Sequence, residues 1–311
     1  MPALAPTAGG SGVVEPGGSA KPPLSGLSGA AAQRRPRTAY LLLLPGIAWL
    51  AIFFVIPLVS LFFTSLQAPT DKAGVYQPGF QVGNYLTALQ EYWPVFIKSF
   101  IYSGIATVLA LIIAYPLAYF IAFRAGKWRA LLLVLVVAPF FASFLLRTYA
   151  WRTILADEGF ITSFFNALHL LPENRILNTP IAVVLGLTYN FLPFMILPLY
   201  AALERIDPRL VEAASDLYAS PFTGFRKVIW PLSLPGVVAG TLLTFIPASG
   251  DYINATLLGA PSDRMVGNAI QTNFLQFRDY PTASALSFIL MAIILTLVFV
   301  YIRRAGTEDL V

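Results

Sequence analysis

Long runs of apolar residues, separated by short polar segments, dominate this chain from residue 39 onward. A helix needs about 20 consecutive apolar residues to cross a bilayer, and six segments reach or approach that length. Their approximate bounds are 39–66, 96–123, 131–146, 181–203, 232–258 and 282–302. The third segment is short, and it extends to Trp151 when the aromatic stretch behind it is included. The pattern therefore predicts an all-α integral membrane protein with six transmembrane helices.

The polar remainder of the chain forms two tails and the connecting loops. Residues 1–37 are rich in Gly, Pro, Ala and Ser and carry few large apolar side chains. Such a segment buries too little surface to offset the entropy lost on ordering. We therefore predict a disordered tail over 1–37, one membrane domain over 38–304 and a second short tail over 305–311.

Composition supports the membrane assignment and excludes several functions. Of the 311 residues, 57% are hydrophobic and 11% are charged, whereas about 25% are charged in an average soluble domain. The net charge of +5 comes from basic residues that flank the apolar segments, so no nucleic-acid partner is indicated. The chain has no Cys, and its one His, His169, lies in a loop without suitably spaced metal ligands. We therefore expect no metal site.

The sequence does not predict an enzyme. Gly126-Lys127 lacks the upstream glycine spacing of a phosphate-binding loop, so we expect no ATP hydrolysis and no bound cofactor in this chain. The predicted spans also hold almost no ionisable groups, which argues against a carrier driven by an ion gradient.

The distribution of basic residues predicts the orientation in the membrane. Six spans place both termini on one side, and most of the 20 Lys and Arg residues lie on that side. Basic residues accumulate in cytoplasmic loops. Both termini and the loop at 205–231, between the fourth and fifth spans, are therefore expected in the cytoplasm.

The loop at 205–231 carries two helix-start signals. Asp207-Pro208 combines a capping carboxylate with a proline at the first helical position, and Ser220-Pro221 repeats the pattern. We predict two short helices and expect Pro231 to break the chain, together with Pro235, before the fifth span. A helix of about ten residues does not persist alone in water, so the first helix requires a partner surface.

The loop sequence EAASDLYASPFTGFRKVIWPLSLPG resembles the EAA loop of permease subunits in bacterial ABC importers. The positions that match the family pattern are Glu212, Ala213, Ala214 and Pro231. Tyr218 stands where the pattern has glycine. If that glycine supplies a left-handed turn, Tyr218 costs roughly 1–2 kcal/mol there. Alternatively, the first helix runs one residue further and the chain turns at 219–221.

Further segments, among them LIIAYPLAYFIAF and GDYINATLLGAP, resemble the spermidine/putrescine branch of these permeases. The resemblance covers residues 38–311 and implies a polyamine permease of the bacterial inner (cytoplasmic) membrane. Related branches carry opines, phosphonates or ferric ion, and these solutes remain alternatives. Outside the family, the alternatives are an ion-coupled secondary carrier and a membrane scaffold without transport.

The resemblance also implies partners for the chain. They are a homologous second permease, two ATPase subunits that bind ATP and Mg²⁺, an extracytoplasmic substrate-binding protein, the polyamine substrate and membrane lipid. The binding protein would dock at the outward loop 261–280. The first helix of the 205–231 loop, which we call the coupling loop, would be the coupling helix that docks on an ATPase. Its expected contact residues are Glu212, Ala213, Ala214, Asp216, Tyr218 and Pro231.

Candidate substrate contacts lie in the predicted outer half of the spans. Asp251 is a carboxylate late in the fifth predicted span, and a charge at membrane depth is costly enough to indicate a function. It lies roughly 20 residues into that segment, so a position at the outer interface explains it equally well. A polycation is bound by carboxylates and electron-rich rings. The other candidates are Tyr149, Trp151, Tyr189, Tyr252, Asp157, Glu158 and Asn190. The aromatic residues are equally explained as interface anchors, and Arg147 opposes a polycation site if it faces the same cavity.

Overall fold

A computed structural model describes residues 36–69, 75–167 and 175–305, which are largely helical. The chain divides into two units, one ending at Ile56 and one beginning at Pro57. The predicted tails lie outside the described residues, except for residues 36, 37 and 305, and so does His169.

The described part of the first unit, residues 36–56, is one helical run. Helix α1 (Pro36–Leu50) contains Pro45 and continues through a π-helical turn, Ala51–Val55. Helix α2 (Ile56–Ser65) follows and continues into the second unit. The stretch Leu43–Ser65 is long and apolar enough to cross a membrane, in agreement with the first predicted span.

The second unit contains the remaining helices and one minute sheet. The helices are α3 (Gly83–Phe123), α4 (Arg129–Val137), α5 (Phe144–Ile154), α6 (Phe160–Ala167), α7 (Pro180–Glu204), α8 (Pro208–Asp216), α9 (Pro221–Gly224), α10 (Trp230–Ser249), α11 (Ile253–Leu258), α12 (Val266–Gln271) and α13 (Tyr280–Ala305). Strands β1 (Ala68–Pro69) and β2 (Tyr76–Gln77) pair antiparallel. This pair is a small departure from the predicted all-helical chain.

The third predicted span is not one straight helix. Among the described residues, five helices are long and apolar enough to span a membrane, and a sixth span requires α4 and α5 to be counted as one. The segments Gly126–Phe141 and Phe144–Ile154 are bent by 95° relative to each other. Pro139 cannot donate a backbone hydrogen bond, and the helix tightens there into a 3₁₀ turn, Ala138–Phe141, before the backbone becomes extended at Ala142.

The predicted bounds of the fifth span, 232–258, are wrong at both ends. The helix runs without interruption over Pro221–Ser249, so Pro231 and Pro235 do not break it. A π-helical turn, Phe225–Ile229, directly precedes α10, and this wider turn accommodates a proline that has no N–H to donate. The helix then ends at Ser249, and the short helix α11 follows separately.

Close packing of α3, α7 and α10 forms the core. Ala110, Ala114 and Ala118 of α3 are fully buried at four-residue spacing, which lets helix backbones approach closely in a membrane. Gly240 of α10 serves the same purpose, since a Cβ there would lie 2.8 Å from the sulfur of Met195 on α7. These three helices form a rigid frame that connects the coupling loop to the opposite end of the unit.

Candidate functional site

Both helix-start predictions in the coupling loop are confirmed. The carboxylate of Asp207 accepts a hydrogen bond from the Arg209 N–H at 2.9 Å, and α8 begins at Pro208. The hydroxyl of Ser220 accepts from the Thr223 N–H at 3.2 Å, ahead of α9. The second helix differs from the prediction, however, because it is the first turn of the long helix that leads into α10.

The turn after α8 decides between the two predicted conformations of Tyr218. Its φ is +58°, so the backbone is left-handed and α8 does not run further. The Tyr218 N–H donates to the Ser215 carbonyl at 2.9 Å, and the Ala219 N–H donates to the Ala214 carbonyl at 3.1 Å. This is the Schellman pattern of a helix C-terminus, with tyrosine at the position that glycine usually occupies.

The surface of the coupling loop is unusually apolar. Leu217 is 81% exposed, Tyr218 99% and Phe222 71%. Glu212, Ala213 and Asp216 are also exposed, whereas Ala214 is half-buried. Contiguous exposed apolar side chains mark interaction surfaces on many proteins. We call Glu212, Ala213, Asp216, Leu217, Tyr218 and Phe222 the coupling patch.

A cluster of three side chains ties the start of α4 to the end of α7, next to the coupling loop. The guanidinium of Arg129 forms an ion pair with Glu204 and donates a hydrogen bond to the Tyr200 hydroxyl. It also stacks over the Tyr200 ring, 5.0 Å from its centroid. We call this cluster the Arg129 clamp. Nearby, Leu203 and Ile206 are buried together with Ile121 and Ile229.

A chain of buried polar side chains lies at the other end of the unit, beyond the end of α10. Asp251 is 9% exposed and accepts hydrogen bonds from the backbone and side-chain N–H groups of Asn254, at 2.8 and 3.2 Å. The Asn190 amide donates to the Asn254 side-chain oxygen at 3.0 Å and to the Thr148 hydroxyl at 3.2 Å. This polar chain joins α5, α7 and α11 where α10 is interrupted.

Two glycines allow the backbone to pack around this polar chain. A Cβ at Gly186 would lie 2.6 Å from the side-chain oxygen of Asn254. A Cβ at Gly267 of α12 would lie 2.3 Å from the carbonyl oxygen of Gly250. Both distances are shorter than a van der Waals contact, so glycine is required for these helices to approach so closely.

The region that carries these features matches a known protein family. Residues 114–305 match the model of the binding-protein-dependent transport system inner membrane component. The chain belongs to this family. The matched region contains the coupling loop, the Arg129 clamp and the polar chain at Asp251.

Curated relatives of this transport component align with most of its length. The spermidine/putrescine transport system permease protein PotB of Haemophilus influenzae is 41% identical over 258 residues, covering 82% of this chain and 90% of the relative. The protein of the same name from Escherichia coli is 36% identical over 261 residues, covering 83% and 94%. An inner membrane ABC transporter permease protein, YdcU of Escherichia coli, is 29% identical over 284 residues, covering 87% and 90%.

Solved structures agree with the permease fold. A chain of a bacterial alginate ABC transporter, solved in complex with an alginate pentasaccharide-bound periplasmic protein, superposes with a TM-score of 0.67. The two chains are 18% identical, and the match covers 88% of this chain and 95% of that one. The likeness shows the fold alone. It confirms the predicted all-α fold.

The predicted pathway residues of this family member do not all lie together. Asp251 and Asn190 belong to the same polar chain, and the Trp151 and Tyr189 rings lie 5.2 Å apart. Tyr252 adjoins Asp251 and is 40% exposed. The remaining candidates, Tyr149, Asp157 and Glu158, are exposed and form no hydrogen bond with the polar chain.

Sequence reasoning missed Asn254 and Thr148, which complete the polar chain. Asn254 follows Asp251 by three residues, and that spacing was a usable signal for a side chain returning to the same carboxylate. Thr148 carried no such signal, because its partner Asn190 is 42 residues away.

Segment 261–280, predicted as an outward loop, is largely helical and borders a polar cavity of about 330 Å³ at the same end of the unit. Its lining includes Asn178, Arg264, Asn268, Gln271 and Gln276. Near it, the Tyr76 hydroxyl donates to the Asp279 carboxylate at 3.2 Å. Burial, and then the charge of Asp279, raise the pKa of Tyr76 to about 12, so this hydroxyl remains a donor throughout the physiological range.

Proposed function

We propose that this chain is the permease subunit of an ATP-driven importer that carries polyamines of the spermidine and putrescine class. The observation that carries the proposal is the identity of 36–41% to permeases of that name over about four-fifths of the chain. The protein is a multi-pass component of the inner membrane, and its termini and coupling loop face the cytoplasm in this proposal.

The chemistry around Asp251 fits a cationic substrate. No basic side chain forms an ion pair with Asp251 in the part of the chain that the structure describes. Its negative charge is held by amide donors of Asn254 rather than neutralised. Tyr252 beside it supplies a ring face that attracts ammonium groups. Tyr189 lines the same cavity as Arg147, which disfavours the Trp151–Tyr189 pair as a cation site.

We propose that energy enters through the coupling patch. A separate pair of ATPase subunits would bind ATP and Mg²⁺, close on nucleotide binding and pull α8 together with its counterpart on a homologous second permease. The Arg129 clamp and the buried contacts of Leu203 and Ile206 transmit that movement to α4, α7 and α10. An extracytoplasmic binding protein would deliver the polyamine at the outward loop 261–280.

Reconstitution of the complete transporter in proteoliposomes tests this function. We expect ATP-dependent uptake of labelled spermidine or putrescine when the binding protein is present. An Asp251→Asn variant keeps an acceptor oxygen for Asn254 but loses the charge, and we expect its uptake to fall about tenfold or more. Asp157→Asn, with an exposed carboxylate outside the polar chain, should remain within about twofold of the wild type.

Two results would contradict the proposal. Uptake of a phosphonate, an opine or ferric ion in place of polyamines would retain the importer but refute the substrate. Uptake by this chain alone under an ion gradient, without any ATPase, would instead identify a secondary carrier.

A further inference from the structure

Arg147 is a half-buried cation, two of whose donor nitrogens lack a hydrogen-bond partner among the described residues. Its Nε and Nη1 atoms are inaccessible to solvent, and neither forms a hydrogen bond with any residue that the structure describes. Its guanidinium carbon lies 4.7 Å from the Phe140 ring centroid and 5.5 Å from that of Phe144. The contrast with Arg129, which pairs with both Glu204 and Tyr200, is clear.

The two ring contacts do not account for this arrangement. Stacking on aromatic faces attracts a cation but satisfies none of its N–H donors. Buried donors that lack an acceptor are unfavourable, and more so for a charged group at membrane depth. The two inaccessible donors of Arg147 therefore lack an acceptor among the described residues, and an anion beside them would supply one.

Arg147 lines one end of an apolar cavity of about 280 Å³. The remaining lining residues are Leu117, Leu132, Leu135, Val136, Pro139, Tyr189, Leu192, Pro193 and Ile196. Ile196 follows Tyr189 by seven positions on α7, so the cavity extends roughly 10 Å along that helix. Among the residues that the structure describes, no acidic side chain lines it, and Arg147 is its one charged lining residue.

The cavity is continuous with surface that a lipid can approach. Leu135, one of its lining residues, is 57% exposed, and its neighbours Leu131 and Val134 on α4 are 47% and 60% exposed. Helix α4 and the 3₁₀ turn after it rise roughly 20 Å from Arg129, and α5 then turns aside. That rise is shorter than a hydrocarbon core about 30 Å thick, so we place Arg147, which follows the bend, within such a core.

We propose that this cavity is a phospholipid-binding site, with the phosphate held by Arg147 and an acyl chain along Leu135, Leu192 and Ile196. A guanidinium presents paired N–H donors that match a phosphate, and the apolar walls match a hydrocarbon chain. A free phosphate would leave the apolar walls uncovered. Bound lipid at this position would support the bend between α4 and α5.

Native mass spectrometry of the full chain in detergent micelles, titrated with dioleoylphosphatidylglycerol, tests the proposal. We expect the wild type to retain one tightly bound lipid per chain, and Arg147→Ala to bind it about ten- to one-hundred-fold more weakly. Arg147→Lys keeps the positive charge but lacks the paired N–H donors of the guanidinium, so its lipid affinity should lie between those of the wild type and Arg147→Ala. Arg152→Ala, an exposed arginine on the same helix, is the matched control and should bind as the wild type does.

A second variant tests the apolar part of the cavity and leaves the cation in place. Leu135→Trp should fill the space beside Arg147 and weaken lipid binding as well, so the proposal remains testable if Arg147→Ala fails to fold. Inorganic phosphate, added in equal amount, should not displace the lipid. Because neither ATP nor a polyamine enters this measurement, its failure would not affect the proposed transport function.

Three outcomes would overturn the proposal. The first is equal lipid affinity in the wild type and either the Arg147→Ala or the Leu135→Trp variant. The second is displacement of the lipid by inorganic phosphate, which would mean that the apolar walls contribute nothing. The third is an Arg147→Ala chain that binds lipid normally but no longer co-purifies with a second permease. The anion at Arg147 would then be a carboxylate of that subunit.

Discussion

Tyr218 occupies a left-handed turn in which a side chain is a disadvantage. Its φ of +58° places the Cβ close to the following carbonyl group, at a cost of about 1–2 kcal/mol for an L-residue. The side chain is 99% exposed, so no intramolecular packing offsets this cost. Tyrosine at this position therefore fits a role in contact with a partner better than a role in the stability of the isolated chain.

Replacement of Tyr218 with glycine should stabilise the isolated chain. Relief of the left-handed strain stabilises the folded state by about 1–2 kcal/mol. Glycine also raises the conformational entropy of the unfolded chain, which costs about 0.4–1 kcal/mol of stability. We therefore expect a net gain of about 0.5–1 kcal/mol. Thermal unfolding of the detergent-purified chain should show a midpoint raised by about 1–3 °C. Tyr218→Ala keeps the Cβ and should give no increase. An equal increase in both variants would show that the aromatic ring, not the left-handed backbone, carries the cost.

Gly267 is required for a close contact between α12 and the backbone where α10 ends. A Cβ there would lie 2.3 Å from the Gly250 carbonyl oxygen and 3.1 Å from that of Asp251. Because backbone rather than a flexible side chain blocks the space, we expect Gly267→Ala to destabilise the protein by about 1–3 kcal/mol. The reciprocal variant, Gly250→Ala, meets only Leu290 at 3.8 Å.

Denaturation midpoints of the two alanine variants provide the measurement. Gly250→Ala should unfold within about 1 °C of the wild type, because its destabilisation is small compared with a core clash. Gly267→Ala should unfold several degrees lower. If the two variants unfold at the same temperature, the close approach of α12 to Gly250 is not a feature of the folded protein.

Among the helices, the Arg129 clamp is one of the contacts that join the bent third span to α7, the helix preceding the coupling loop. The three side chains combine an ion pair, a hydrogen bond and a cation–ring contact. The side chains of Arg129 and Glu204 are partly exposed, so we expect the cluster to matter more for transmitting movement than for stability.

Charge reversal separates these two roles. Arg129→Glu and Glu204→Arg should each lower the amount of substrate transported per ATP hydrolysed by about fivefold or more, because like charges then oppose each other at the clamp. The double variant restores an ion pair and should recover most of that ratio. The coupling ratio is measured from uptake and ATPase activity in the same proteoliposomes. If the double variant is no better than the singles, the pair does not act as a unit.

The sequence predicts most of the long helices, but it does not predict where the spans bend or end. The capping residues Asp207 and Ser220 act on their own neighbouring N–H groups, so local sequence predicts both helix starts. The bend at Ser143 and the continuity of the helix through Pro231 depend on how neighbouring helices pack. The pairing of Asn190 with Asn254 depends on the same packing.

Over the whole molecule, the candidate sites occupy two ends of one helical frame. The coupling patch lies at one end, and the polar chain at Asp251, with the cavity beside Arg147, lies further along α7 and α10. The buried face of α3 holds these two helices together. A displacement of α8 therefore acts on the frame rather than on a loose loop, which is the arrangement that an externally driven transporter requires.

Glu212→Lys tests this arrangement over the whole molecule. The carboxylate is exposed at the centre of the coupling patch, so its reversal should not affect folding of the isolated chain, whose denaturation midpoint should change little. Docking of the ATPase should weaken, because reversing a charge in an interface typically costs several kcal/mol. We expect ATP-driven uptake to fall about tenfold or more, and less ATPase to co-purify with the permease.

Glu91→Lys is the control, because it makes the same charge reversal at an exposed position in the first part of α3, outside the coupling patch. It should leave uptake and co-purification of the ATPase unchanged. Normal uptake and assembly of the Glu212→Lys transporter would refute the role of the coupling patch.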